Sequence, residues 1–167
     1  MRTMMSLTAA FALCLGVSTS AALAVDPAPN GIELPQGYKD WRVIAISHRS
    51  DNNTMRAIVG NDAAIEAARS GRVNPWPDGA ILGKIVWGNR TDDNWEPATV
   101  PGEFKAAEFM IKDSARFAET GGWGFARWLG AAQKPYGENA DFVQECFTCH
   151  TPVASRDYVF TTPISLP

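Results

Sequence analysis

Cys146-Phe147-Thr148-Cys149-His150 constrains this chain more than any other stretch. Two thiols stand three positions apart, and an imidazole follows the second at once. This C-x-x-C-H run is the attachment signature of c-type haem. Each thiol can form a thioether to one haem vinyl group, and the histidine supplies an axial nitrogen to iron. The fold must therefore hold one covalently anchored haem near its C-terminal end. The competing uses of the run are a disulfide or half a zinc site. Zinc needs two further ligands, and beyond the N-terminal segment the only other histidine is His48.

The N-terminus supports an exported protein. Met1-Arg2 opens a short positive region, Met4 to Val17 is mostly small or apolar, and Ala22-Leu23-Ala24 reads as a cleavage site. The apolar run is too short to remain as a membrane anchor. Cys14 follows Leu13 rather than a small residue, so it does not fit a lipoprotein signal and leaves with residues 1–24. Cys146 and Cys149 then remain, both assigned to haem, with no thiol left for a structural disulfide. Haem c is attached outside the bacterial cytoplasm, so a periplasmic location is expected. The net charge of −3 becomes one unit more negative without Arg2, which argues against nucleic acid or an anionic membrane as partner. The remainder divides into a Pro/Gly-rich leader, 25–37, and one domain, 38–167.

Pattern along the domain predicts a β-rich α+β fold with about five antiparallel strands and short helices. Strands are expected over Trp41–Arg49, Thr54–Val59, Ala80–Trp87, Glu103–Lys112 and Trp123–Leu129. Ser50 to Asn53 is a turn, Asn61-Asp62 caps a helix through Arg69, and Gly71 stops it. Gly88 to Gly102 reads as a polar loop with two prolines. Asp113 starts a short helix through Glu119, and Asp141 caps the helix that carries the haem cysteines. The long amphipathic repeats of a four-helix bundle are missing.

The iron's second axial position is informative. Small electron-transfer cytochromes commonly use a Met C-terminal to the motif, but no Met, His, Lys or Cys follows His150. A sixth protein ligand must come from upstream: His48, Met55, Met110 or a lysine. Methionines in strands are more often core residues, and His48 reads as a strand-edge residue. An open iron face, suited to small-molecule chemistry or gas binding, is the expectation.

The order of several short motifs resembles the cytochrome P460 family. The pieces are Thr54-Met55-Arg56, Asp78-Gly79 through Lys84, Glu108 through Lys112-Asp113-Ser114-Ala115-Arg116-Phe117, Gly122-Trp123, the C-x-x-C-H run, and Asp157-Tyr158-Val159-Phe160-Thr161. The resemblance implies a β-rich, homodimer-forming fold and one of two functions. Cytochromes P460 oxidise hydroxylamine, pass electrons to a redox partner, and carry a lysine cross-link to haem. Cytochromes c′-beta share the fold without the cross-link and bind nitric oxide or similar gases. Simple electron transfer is the third reading.

By resemblance, Lys84 matches the cross-linking lysine, Glu108 a distal carboxylate that takes protons, and Arg56 a distal-side arginine. Strand alternation adds its own argument. Lys84 shares a face with Leu82 and Val86, and Glu108 with Phe104, Ala106 and Met110. Burial would make the lysine amine neutral and nucleophilic; the alternative is a sheet lysine reaching out to water. An acid on an apolar face is costly unless paired or functional, and Arg56 is one candidate partner for it. Phe104, Phe109, Trp123 and Phe125 are pocket walls or plain core.

Overall fold

Each strand of the sheet pairs with the strand that follows it in sequence. The computed structural model describes residues 25–165. The segment read as a signal peptide, with Cys14, lies outside the described residues. The strands are β1 (Arg42–Arg49), β2 (Thr54–Gly60), β3 (Ile81–Thr91), β4 (Thr99–Lys112), β5 (Trp123–Leu129) and β6 (Lys134–Pro135). They form one antiparallel sheet in the order β1-β2-β3-β4-β5-β6. The expected β-rich fold is the one observed, with the two-residue β6 as an addition.

Two helices complete the frame. Helix α1 (Asp62–Ser70) starts where Asn61 Oδ1 accepts from the Ala64 N–H at 3.0 Å and ends at Gly71, whose φ of 72° is left-handed. The same Asn61 oxygen accepts from Ile81 N–H at 3.0 Å, and its amide donates to the Gly79 carbonyl at 2.8 Å. One cap thus fixes both the helix start and the start of β3. Helix α2 (Phe142–His150) carries the C-x-x-C-H run at its C-terminal end.

Register sorts the side chains onto two faces, because residues directly opposite share a face. Val59, Gly83, Phe109 and Ala126 form one cross-strand row. On this face Phe109 and Trp128 are almost wholly buried, and Tyr38 and Trp41 meet Phe109 edge-on. Ala28 and Ile32 of the leader join this core. The leader is further held by Asn30, which donates to the Phe125 carbonyl at 2.8 Å, and by Trp128 Nε1, which donates to the Asp26 carbonyl at 2.9 Å. The other face carries the row Ile58, Lys84, Glu108 and Arg127, and beside it Gly60, Leu82, Met110 and Phe125. Ile65 of α1, Trp76, Trp123 and Val159 belong to the core on this side. Val143 and Cys146 of α2 touch both cores.

Three local expectations change. The stretch from Gly88 to Gly102 is mostly strand, since β3 and β4 stay paired through Asn89–Pro101, Arg90–Val100 and Thr91–Thr99. Pro101 is tolerated because β5 begins pairing with β4 only at Ala106, so the proline's missing N–H faces no partner strand there. The register shift between Val86 and Trp87 sets Phe104 opposite Trp87, with ring centroids 6.5 Å apart. Phe104 therefore joins the leader-side core and not the face of Glu108. The helix expected from Asp113 to Glu119 is a turn followed by a short 3-10 segment, Ala118–Thr120. Asp113 closes the turn before it, its side chain accepting from the Arg116 N–H at 2.9 Å.

Candidate haem-binding site

Cys146, Cys149 and His150 stand at positions i, i+3 and i+4 of α2, spacings that share one side of a helix. That side brings Cys146, Cys149 and His150 to a cavity of about 450 Å³, closed opposite them by the sheet. Both cysteines are free thiols, Cys146 partly buried and Cys149 exposed. Burial pushes the Cys146 thiol above its ordinary pKa, which disfavours the reactive thiolate.

His150 is the most constrained of the three. Its Nδ1 lies 2.7 Å from the Tyr158 carbonyl oxygen. A carbonyl only accepts, so Nδ1 carries the proton and Nε2 keeps its lone pair, as a metal ligand requires. Phe125 and Phe160 flank the ring, with centroids 5.3 and 5.1 Å away. Burial, the largest influence, lowers the imidazole's pKa and so favours the neutral, ligating form.

The acceptor carbonyl sits on a turn with two successive left-handed residues, Asp157 at φ 51° and Tyr158 at φ 63°. Asp157 is buried and fully engaged. Its Oδ1 meets Lys112 Nζ at 2.7 Å, its Oδ2 accepts from the Trp76 N–H at 2.8 Å, and its carbonyl accepts from Trp123 Nε1 at 2.8 Å. Lys112 also donates to the Gly121 carbonyl at 3.2 Å and lies 5.0 Å from the centre of the Trp123 ring.

Across the cavity, the sheet presents a charged row. Lys84 Nζ and Glu108 Oε2 are 2.6 Å apart, and Arg127 Nη2 reaches the same oxygen at 3.5 Å. The three residues stand opposite one another on β3, β4 and β5, which is why their side chains meet. Arg127 extends the row to α2: its Nη1 is 3.9 Å from Glu145 Oε1, and its guanidinium lies 4.5 Å from the centre of the Tyr136 ring. The Tyr136 hydroxyl donates to Glu145 at 2.7 Å, and this bond raises the phenol's pKa. Arg49, paired with Asp51, and Arg56 complete the charged lining; Ile58, Leu82, Met110, Phe125 and Val159 supply apolar wall. Burial, then the neighbouring Arg49 charge, lowers the pKa of Arg56.

Lys84, Glu108, Arg56, Cys146, Cys149 and His150 thus line one cavity. Arg56 makes no ion pair with Glu108 among the described residues; Lys84 and Arg127 hold that carboxylate instead. His48 is exposed and lies 2.7 Å from the Asn89 amide. It pairs across the sheet with Met55, and Met55 with Trp87, on the face away from the cavity. Of the upstream ligand candidates, Met110 and the lysine Lys84 are on the lining, and His48 and Met55 are not. Phe125 walls the cavity; the Phe109 ring belongs to the leader-side core, and Trp123 is core beneath the Asp157 turn. Sequence reasoning missed Arg127, although Phe125-Ala126-Arg127 alternates in a strand whose boundaries were legible.

The donor set fits a haem c. Two thiols at the attachment spacing, a neutral imidazole with a free Nε2, and an apolar-lined cavity face one another. The Nε–H groups of Arg56 and Arg127 are buried without a protein acceptor, a state in which a bound group carrying acceptor atoms would relieve them. The family model described as Cytochrome P460 matches residues 35–161, most of the chain. A comparison with individual curated proteins gives no match.

Proposed function

The chain belongs to the cytochrome P460 family and is a haem c protein of that type; from that premise we propose that it oxidises hydroxylamine or a related nitrogen oxide at an open iron face. The observation that carries this reading is that an amine, Lys84, and a carboxylate, Glu108, both line the cavity onto which Cys146, Cys149 and His150 open. Cys146 and Cys149 would hold the haem by thioethers, and the free Nε2 of His150 would ligate its iron. The haem iron, when present, supplies the centre that binds the substrate nitrogen and takes up its electrons.

The chain's own residues do the rest. Glu108 accepts protons at its carboxylate as the substrate is oxidised. Arg127 holds that carboxylate in place, and Lys84 does so as long as its nitrogen is not bonded to haem. Ile58, Leu82, Met110 and Phe125 limit water at the site, which strengthens the charge interactions inside it. Arg56 presents a positive group to the negative end of a bound nitrogen oxide. On this reading the protein works in the periplasm after loss of residues 1–24, as a homodimer, and delivers electrons to a redox partner protein.

A second reading is supported by a specific feature. The Lys84 nitrogen is engaged by Glu108, and much of the wall is apolar. Without a bond from Lys84 to haem, such a pocket suits reversible binding of nitric oxide, as in cytochromes c′-beta. Mass spectrometry of the proteolysed haem peptide, paired with steady-state hydroxylamine oxidation, separates the two. A haem peptide that includes the Lys84 segment, with turnover, is the expected result. A peptide holding only the Cys146–His150 segment, tight nitric oxide binding and no turnover would establish the second reading.

A further inference from the structure

We infer that the buried Lys112–Asp157 ion pair is a positioning device for the haem iron: it fixes the turn whose carbonyl sets the proton and orientation of His150. The inference rests on His150 being the axial ligand. The two side chains are almost wholly buried, 5% and 9% exposed, and lie 2.7 Å apart. Replacing such a pair by apolar residues is often neutral or favourable for stability, so stability alone is a weak account of it. Its location is more telling. Residue 157 and the carbonyl-bearing residue 158 both take left-handed backbone, which is unfavourable for residues with a Cβ. That conformation persists only where surroundings enforce it.

Three contacts from elsewhere in the chain do the enforcing, one on each oxygen of Asp157. Lys112, at the end of β4, takes Oδ1; the Trp76 N–H takes Oδ2; Trp123, at the start of β5, takes the carbonyl. The next carbonyl, that of Tyr158, then accepts from His150 Nδ1 at 2.7 Å. Gly121 seals the arrangement: a Cβ there would collide with the Tyr158 ring. The chain of contacts runs from sheet to Asp157, to the Tyr158 carbonyl, to Nδ1–H, and so to the donor strength of Nε2. A firm Nδ1–H···O=C bond makes the imidazole a stronger donor and favours ferric over ferrous iron. Lys112, Asp157 and Trp123 are positioning residues in this sense.

The test uses the haem-loaded protein and its Lys112→Met, Trp123→Phe and Ile85→Ala variants. Trp123→Phe removes the indole N–H from the Asp157 carbonyl and leaves a smaller aromatic ring beside Lys112. Ile85→Ala damages the opposite face and controls for general loss of stability. Outer-shell partners of metal-bound histidines change metal affinity by about tenfold or more. Lys112→Met and Trp123→Phe should each raise the ferrous-to-ferric ratio at fixed potential about tenfold, or about 59 mV for one electron. The iron–histidine stretching band should move to lower frequency in both, and stay fixed in Ile85→Ala. If Lys112→Met does not yield folded protein, Trp123→Phe decides alone. Potentials within twofold of the parent ratio in the folded variants, with an unmoved band, overturn the inference. Absence of the iron–histidine band from the parent protein, with a spectrum unaffected by His150→Ala, removes the axial-ligand premise and this inference with it.

Discussion

The Lys84–Glu108 pair admits a quantitative test by a double-mutant cycle of Lys84→Met and Glu108→Gln. At 2.6 Å, Coulomb attraction in an effective dielectric of about 20 is roughly 6 kcal/mol before desolvation is counted. Desolvation and side-chain ordering oppose most of it. The side chains are 33% and 21% exposed, between a surface pair, worth about 0.2–1 kcal/mol, and a buried one whose breaking costs about 3–5 kcal/mol. A coupling of about 1 kcal/mol is expected in urea unfolding of the haem protein, smaller at 1 M salt than at 0.1 M. Glu108→Gln alone should cost more than Lys84→Met alone, since it also deprives Arg127 of its partner. The cycle has a chemical counterpart. A Lys84 nitrogen bonded to the macrocycle is no longer a free ammonium, so the coupling should vanish in protein whose haem peptide carries the Lys84 segment. Additive single-variant effects, within about 0.3–0.5 kcal/mol, in protein that lacks that cross-link would refute the reasoning.

Other perturbations follow from single contacts. Gly83→Ala places a Cβ 2.9 Å from Phe109 and 3.0 Å from Val59; overpacking of this kind costs about 1–3 kcal/mol, read as a thermal midpoint lower by about 2–4 °C per kcal/mol. His48→Ala should leave the haem spectrum unchanged, and Met110→Leu should leave a high-spin ferric spectrum high-spin; a spin-state change in either would assign that residue as an iron ligand. Asp78 accepts from both the N–H and the hydroxyl of Ser114 at 2.8 Å, bonds that hold its carboxyl below the usual range. A depressed carboxyl stabilises the fold above the unfolded-state pKa of about 3.9 and loses that effect as pH falls through its folded value. Asp78→Asn should therefore be less stable than the parent at pH 6, with the difference shrinking towards pH 2; a constant difference counts against it.

Local chemistry made much of the fold legible. Trp123 to Leu129 is a strand with the expected limits because Gly121-Gly122 on one side and Gly130 on the other adopt positive φ and bound it. Asn61 and Gly71 delimit α1 because a side-chain cap and a left-handed terminus act within a few residues. What escaped depends on partners far along the chain. The pairing of Asn89 to Thr91 with Thr99 to Pro101 makes strand out of polar sequence. The register shift at Trp87 sends Phe104 to the other face, a change invisible to simple alternation. Arg127 is in the site because β5 lies beside β4 with residue 127 opposite Glu108. The Lys112–Asp157 contact spans 45 residues and joins two charges that neither local pattern nor composition brings together.

The nearest-neighbour order of the sheet has a consequence for how the chain acquires its shape. Each strand needs only the strand just made, so the meander can grow by short loop closures, the kind with the lowest entropic cost and the fastest kinetics. The long closures involve the two ends. The leader bonds to β5 across 95 and 102 residues, and the turn beyond α2 bonds to residues 74 and 76 across 81. The ends therefore clamp a sheet that is already in register, one against each face. Cys146 and Cys149 ride on α2, which follows all six strands in the chain, so the wall they will face is already synthesised when they emerge.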